Sequence, residues 1–265
     1  MLDPLLLILG LIGFCYGSFV NVLIYRIPNK ISIIRPRSFC PKCKIPIPIY
    51  RNIPVLSFVL QFGKCHNCDK KISLQYPSIE IITGLLWLFF ISEISQTNIV
   101  NPVISIIIAS FLIPLAIIDL KFLYFPTSLI IPLIIIGVAS ALINSLAYSS
   151  NESLIGMAVA ISFLGTIYLI VKIWFKIKKR SDTPMGFGDF LLIVPLGAWV
   201  GPFGVILCLF LASTFALILW IILYFLGKFS LAEKMPFGPY LIGSSIIIKV
   251  MSLDQLIFAL ISQIR

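Results

Sequence analysis

The sequence predicts an all-α polytopic membrane protein of about eight transmembrane helices with one small polar insert. Three observations carry that expectation. The 265 residues are 60% hydrophobic and only 11% charged, with a mean hydropathy of +1.10. A soluble domain stays near half apolar and a quarter charged, so no single water-facing core could hide this surface. Apolar runs recur along the whole chain, and one stretch, residues 26–77, interrupts them with Pro, Lys, Arg and Cys. The basic residues are clustered: ten of the 20 Lys and Arg lie between Arg26 and Lys71, and five more between Lys172 and Arg180. Nucleic acid is not the partner that this +10 charge indicates, because basic loops between apolar runs mark the cytoplasmic side of a bilayer.

The elements follow in order. Residues 4–25 form the first span, read as retained: the only early charge is Asp3, and Gly17-Ser18-Phe19-Val20-Asn21-Val22 is a poor cleavage site. The insert 26–77 comes next, large enough for a small folded module. Further spans are expected at about 78–92, 103–118, 127–147, 154–175, 189–201, 203–227 and 237–262. The runs 103–118 and 189–201 are short for a span, and one is expected to be part of a broken helix. With the insert inside, both termini fall outside. The outer loops then carry Glu93 and Glu152, and the inner loops carry Lys121, Lys172 to Arg180, Lys228 and Lys234, so that 18 of 20 basic residues lie inside. Lys249 is the misfit, to be met by snorkelling, by pairing with Asp254 or by an early end to the last span. The division expected is an N-terminal half, 1–95, with two spans and the insert, and a C-terminal half, 96–265, with six spans. No internal repeat or low-complexity linker stands out.

Four of the six cysteines sit in the insert, as Cys40-Pro41-Lys42-Cys43 and Cys65-His66-Asn67-Cys68. A two-residue gap lets both thiolates of a turn reach one ion, and two such turns close a tetrahedral Zn²⁺ site. Reduced thiols in a cytoplasmic loop favour metal over disulfides. Four sulfurs complete the site, so His66 is expected in solvent and the metal's role is to fold the loop. Cys15 and Cys208 lie in apolar runs and are expected to be small buried hydrophobes.

Acidic groups abutting apolar runs need a reason, since a charge inside a span costs about 2.5–3.5 kcal/mol. Asp119 ends the run Ile113–Ile118, and Asp189 follows Gly186-Phe187-Gly188. Both fall at the cytoplasmic edge. Two carboxylates at one site can share a proton: one is general base on a water, and the other polarises the scissile carbonyl. Gly186 and Gly188 would let an extended peptide approach closely. The plainer alternatives are that Asp189 caps a helix and that Asp119 pairs with Lys121.

Gly186-Phe187-Gly188-Asp189 fits the GxGD pattern of intramembrane-type aspartic proteases. It stands with Gly17-Ser18-Phe19-Val20-Asn21-Val22-Leu23-Ile24-Tyr25-Arg26-Ile27-Pro28, the paired cysteine motifs, Tyr76-Pro77-Ser78-Ile79-Glu80, Ile118-Asp119-Leu120 and Pro236-Phe237-Gly238-Pro239. In this order, nearly end to end, the chain resembles the type IV prepilin peptidases. The resemblance implies two reactions: removal of the basic leader of prepilin or pseudopilin substrates at the cytoplasmic face of the bacterial inner membrane, then N-methylation of the new N-terminal residue with S-adenosylmethionine. It implies Asp119 and Asp189 as the catalytic pair. It associates methyl transfer with the N-terminal half, where the matching polar positions are Gly17, Ser18, Asn21, Arg26 and Glu80. No GxGxxG follows a predicted strand, so no Rossmann-type cofactor site is expected. Glu80 is open to several readings: a ribose, an amine, the substrate N-terminus or a structural pairing with Arg26. Two positions depart from the family pattern. Leu191 stands where a Lys is common, and Thr127 follows Pro126 where Asp or Asn is common.

Helix electrostatics order the pair. Asp189 opens a helix, whose N-terminus favours an anion, and Asp119 closes one. Asp189 is therefore expected to be the base and Asp119 to carry the shared proton. Two rivals remain: a peptidase with an inactive transferase half, which the complete N-terminal motifs disfavour, and a non-enzymatic scaffold or transporter. A transporter would show repeats or charges deep in several spans.

Overall fold

The computed structural model describes residues 4–94, 99–143, 148–178, 186–227 and 235–253. Among them are eight α-helices and no strand: α1 (Pro4–Arg26), α2 (Leu56–Leu60), α3 (Gln75–Ser92), α4 (Val100–Phe122), α5 (Thr127–Leu142), α6 (Ser150–Ile177), α7 (Phe187–Phe225) and α8 (Gly238–Val250). The all-α reading therefore holds. Four helices, α1, α4, α6 and α7, are long and apolar enough to cross a bilayer. The protein is a multi-pass membrane protein. Its side chains are apolar on outward as well as inward faces: Leu11, Ile135, Ile170 and Phe210 are all more than half exposed, as lipid-facing positions require.

α7 answers the expectation of a broken helix. Its 39 residues would reach about 58 Å if straight, nearly twice a hydrocarbon core. Gly201 interrupts it with φ 72° and ψ −179°, a backbone state that glycine alone adopts readily. Pro202 follows and restarts the helix. The two apolar runs on either side of this point are thus two arms of one element. The short run 103–118 is the middle of a longer helix, because Val100–Pro102 and Asp119–Phe122 continue it at both ends.

The chain forms two compact units, Met1–Pro114 and Leu115–Arg265, divided within α4. In the first, α1 packs along α3. A Cβ on Gly17 would lie 2.7 Å from the Glu80 Cα, so the two backbones touch at a point only glycine permits. Trp87 of α3 donates from Nε1 to Ser110 Oγ of α4 at 3.1 Å. Cys15 sits on the exposed flank of α1 rather than in the core, because the packed side of that helix is the one carrying Gly13, Gly17 and Val20. In the second unit α7 packs on α5, α6 and α8. Cys208 is buried there, as expected, with its thiol on the Leu241 carbonyl at 3.4 Å. α6 starts at a capping box in which Ser149 and Glu152 exchange hydrogen bonds, which accounts for Glu152 at that membrane edge. Lys249 is buried with its ammonium 5.1 Å from the Tyr148 ring centroid. Asp254, weighed as its partner, lies outside the described residues, as do Lys179, Arg180, Lys228 and Lys234.

Candidate active site and metal centre

α4 ends because Leu123 takes φ 57° while its N–H closes on the Asp119 carbonyl at 2.9 Å. The turn leaves Asp119 in the last helical turn, 5% exposed. Pro126 then sets the extended N-cap of α5. α7 starts at Gly186, also extended, and places Asp189 in its first turn, half-buried. The two aspartates come close enough for their carboxyls to act on each other electrostatically. Each is held by one backbone donor: the Gly186 N–H at Asp189 and the Gly238 N–H at Asp119. Asp119 Oδ2 is buried and has no hydrogen-bond partner among the described residues. A carboxyl oxygen left so is costly unless a substrate atom completes it.

Two glycines and one ring shape the site. A Cβ on Gly238 would stand 2.7 Å from Asp119 Oδ2 and would overlap the Phe125 ring; one on Gly188 would overlap the same ring. Phe125 is thus wedged between the start of α7 and the start of α8, beside Asp119. The Pro236–Pro239 motif marks Gly238 in the sequence without giving it a task, and no motif singles out Phe125. The signal available was the Phe125-Pro126 step, a bulky residue fixed in extended geometry just after the aspartate helix.

The insert is built on two matching turns. In each, the first cysteine's carbonyl accepts from the residue after the second cysteine: Lys44 to Cys40 and Asp69 to Cys65, both at 2.8 Å. Those residues, Lys44 and Asp69, have φ 63° and 53°. The first cysteine's N–H then closes the turn, Cys40 on Ile45 at 3.0 Å and Cys65 on Lys70 at 2.9 Å. Isolated bridges, Phe39 with Pro46 and Lys64 with Lys71, flank the two turns. This is a structural repeat that the differing side chains concealed. The four sulfurs lie within 4.8 Å of one another. A tetrahedral zinc with Zn–S near 2.3 Å would draw them to about 3.8 Å, a small closure. Burial opposes ionisation of Cys40, but the Cys43 and Lys42 amides and the neighbouring thiols hold it down to about 7. The Lys70 amide favours the Cys68 thiolate, yet the crowd of sulfurs outweighs it and pushes Cys68 up to about 11. Four thiolates without a cation repel, and a dication removes the conflict. His66 is exposed, as expected.

Between the insert and the helices lies a cavity of about 630 Å³, lined by Ser18, Asn21, Arg26, Arg51 and Glu80 among others. Glu80 is 8% exposed; its Oε2 accepts from the Val55 N–H at 2.7 Å, and Ser18 also bonds its carboxyl. Val55 reaches it from φ 61°, a strained state for a β-branched residue. Asn21 donates from Nδ2 to the Gly17 carbonyl at 3.3 Å and the Tyr76 carbonyl at 3.1 Å. Arg26 is 4% exposed, and its guanidinium donates to the carbonyls of Ser32, Ile33, Pro36 and Arg37 at 2.7–3.3 Å. It holds the start of the insert in shape. Gly17 is not on the cavity wall; it sets the helix crossing that carries Glu80.

Residues 11–94 match the bacterial peptidase A24 N-terminal domain, and residues 106–221 match the type IV leader peptidase family. A prepilin leader peptidase/N-methyltransferase of Neisseria gonorrhoeae is 32% identical over 92% of this chain and 89% of its own length. The chain belongs to the type IV leader peptidase family. Proteins of the same name from Dichelobacter nodosus and Legionella pneumophila are 30% and 28% identical, over 88% and 91% of this chain and 86% and 89% of theirs. No solved structure matches it. Of the two departures from the family pattern, Leu191 is half-buried in the first turns of α7, and Thr127 opens α5 directly after the Pro126 cap.

Proposed function

We propose that this leader peptidase removes the leader of type IV prepilin-like proteins with Asp119 and Asp189 as its catalytic pair, and then N-methylates the new N-terminal residue. The observation that carries the reading is the pair itself: two carboxyls, from the end of α4 and the start of α7, close enough to act on each other, with one Asp119 oxygen unpartnered. Asp189, at a helix start and more accessible, takes a proton from water as that water attacks the scissile carbonyl carbon. Asp119 gives its proton to the carbonyl oxygen, which is the partner its Oδ2 lacks. As the tetrahedral adduct collapses and the C–N bond breaks, one of its hydroxyls returns a proton to Asp119 and the carbonyl re-forms, while the proton held by Asp189 passes to the leaving amine. Gly186 and Gly238 fix the carboxyls through their amides, and Gly188 leaves room for Phe125.

Cys40, Cys43, Cys65 and Cys68 would hold Zn²⁺, which supplies folding energy to the insert and, with four ligands, no open position. S-adenosylmethionine, when bound, supplies an electrophilic methyl group. The cavity fits it by size, by the carboxylate of Glu80 and by two buried polar atoms without partners, and Ser18, Asn21 and Glu80 would form its polar wall. Gly17 and Arg26 would support that wall from behind. The basic insert supports a site facing the cytoplasm at the inner membrane, where a prepilin or pseudopilin leader stays in water and its apolar helix stays in lipid. A peptidase with an idle transferase half is the second reading; the intact cavity weighs against it.

The test is the end-group mass of a prepilin-like substrate co-expressed with wild type, Asp119→Asn or Asp189→Asn. Only wild type is expected to give a shortened, methylated product. Cleavage without a methyl removes the transferase assignment. Cleavage by either Asn variant removes the aspartic mechanism.

A further inference from the structure

The cavity beside the cysteine turns contains two orphans of opposite character. Asn21 is 4% exposed, and its two carbonyl partners fix which end of the amide is the NH₂. Its Oδ1 is left buried with no partner. Arg51 lies on the insert side of the same cavity. Its Nη1 is buried without a hydrogen-bond partner, and its guanidinium carbon sits 5.5 Å from the Tyr50 ring centroid. Arg26, the cavity's other guanidinium, has both terminal nitrogens committed to carbonyls. Lys42, Lys70 and Lys71 also line the cavity, but Arg51 is its guanidinium with a terminal nitrogen left unpartnered, and Asn21 Oδ1 with Glu80 is the wall's cation partner.

An unmet acceptor beside a carboxylate calls for an ammonium. An unmet guanidinium N–H calls for a carboxylate or phosphate. Both atoms are closed to solvent, so each must turn toward the cavity to meet a ligand. One ligand group presents both complements on adjacent atoms: the α-carbon of a free amino acid. Side-chain rotation on binding is ordinary, and such a group requires it of both Asn21 and Arg51.

We propose that Arg51 binds the α-carboxylate, and Asn21 Oδ1 with Glu80 the α-ammonium, of the methionyl end of S-adenosylmethionine. The proposal rests on the reading that this cavity holds the cofactor. It makes Arg51, which none of the sequence motifs singled out, a specificity-determining residue.

The experiment is equilibrium binding to the purified full chain in detergent, with S-adenosylmethionine, its decarboxylated analogue and its deaminated analogue as probes. A charge-assisted pair is worth roughly ten- to a hundredfold in affinity. Wild type is expected to bind each analogue at least about tenfold more weakly than the cofactor. In Arg51→Gln the cofactor weakens by a similar factor, and its advantage over the decarboxylated analogue shrinks to within about twofold while its advantage over the deaminated one persists. Arg51→Lys restores part of the carboxylate preference. Equal wild-type affinity for cofactor and decarboxylated analogue overturns the proposal without any variant. Undiminished discrimination in Arg51→Gln overturns it as well. Should Arg51→Gln lose its zinc and its fold, the wild-type analogue series and Arg51→Lys decide. If wild type binds the cofactor but a photo-crosslink maps it outside the cavity, the cofactor reading fails together with the proposal, and the analogue preferences belong to another site.

Discussion

The cavity of the N-terminal unit and the aspartate site of the C-terminal unit treat polar groups in opposite ways. Around the cavity three polar side chains are held by the unit's own backbone, Arg26 by four carbonyls, Asn21 by two and Glu80 by the Val55 amide, while Asn21 Oδ1 and Arg51 Nη1 are left over. At the aspartates each carboxyl has one backbone donor, and Asp119 Oδ2 has none. The first arrangement organises a long irregular insert, where backbone carbonyls outside helices would otherwise go unpaired. The second keeps reactive atoms available on rigid helix ends. The same residue types thus build shape in one unit and chemistry in the other, and the hydrogen-bond partners tell the two apart.

Replacing the chemistry should have the largest effect. Asp119→Asn and Asp189→Asn keep size and remove acid or base, so cleavage should fall by about a thousandfold or more. Zinc content and cofactor binding should not change, which elemental analysis and equilibrium binding would report. A loss of zinc in these variants would break the separation drawn between the two sites.

Next comes the metal. Cys65→Ser leaves three thiolates, and structural zinc contributes on the order of 10 kcal/mol to folding such a module. Bound zinc should fall well below one per chain and methylation should be lost. Because ligands must deprotonate, protons compete with zinc for the four thiolates, and zinc retention against a chelator should weaken as pH falls. Retention that is flat from pH 8 to about 5.5 would argue against a thiolate site.

How much of this was legible in the sequence follows the same divide. The spans, the two aspartates and the cysteine turns are local signals: apolar run length, a charge at the edge of a run, a two-residue gap. Gly201-Pro202 likewise separated two apolar runs before the backbone explained why. What stayed hidden is tertiary. Arg51 is one Arg among ten basic residues in the insert. Only the folded cavity shows that its Nη1 lacks a partner while both terminal nitrogens of Arg26 are taken. Val55 in a left-handed state contradicts its own propensity, so no local rule finds it. Gly17 looked like part of a cofactor motif, and its contact is with the α3 backbone.

Glycine substitutions sharpen the comparison with smaller effects. Gly238→Ala puts a methyl against Asp119 Oδ2 and Phe125, and a displacement of that carboxyl by even 1 Å should slow cleavage about a hundredfold. Gly17→Ala instead pushes α1 off α3 at the Glu80 backbone, costing about 1–3 kcal/mol of packing. Its signature should be cleaved but under-methylated product. The ratio of methylated to free N-termini reads both variants at once, and a fall in that ratio for Gly238→Ala would mean the sites are not separable.

The smallest effect belongs to His66, the chain's sole histidine, placed inside the second cysteine turn where a ligand could sit. It is exposed, and the four sulfurs already converge without it. His66→Ala should leave zinc stoichiometry, its chelator resistance and methylation within about twofold of wild type, as surface substitutions away from a packed feature do. The comparison with Cys65→Ser, one position away, is what gives this negative result weight. Equal losses in the two variants would mean that the imidazole is a ligand and one sulfur is not. The metal would then have a weaker sulfur or an open position, and a purely structural role for the insert would no longer follow.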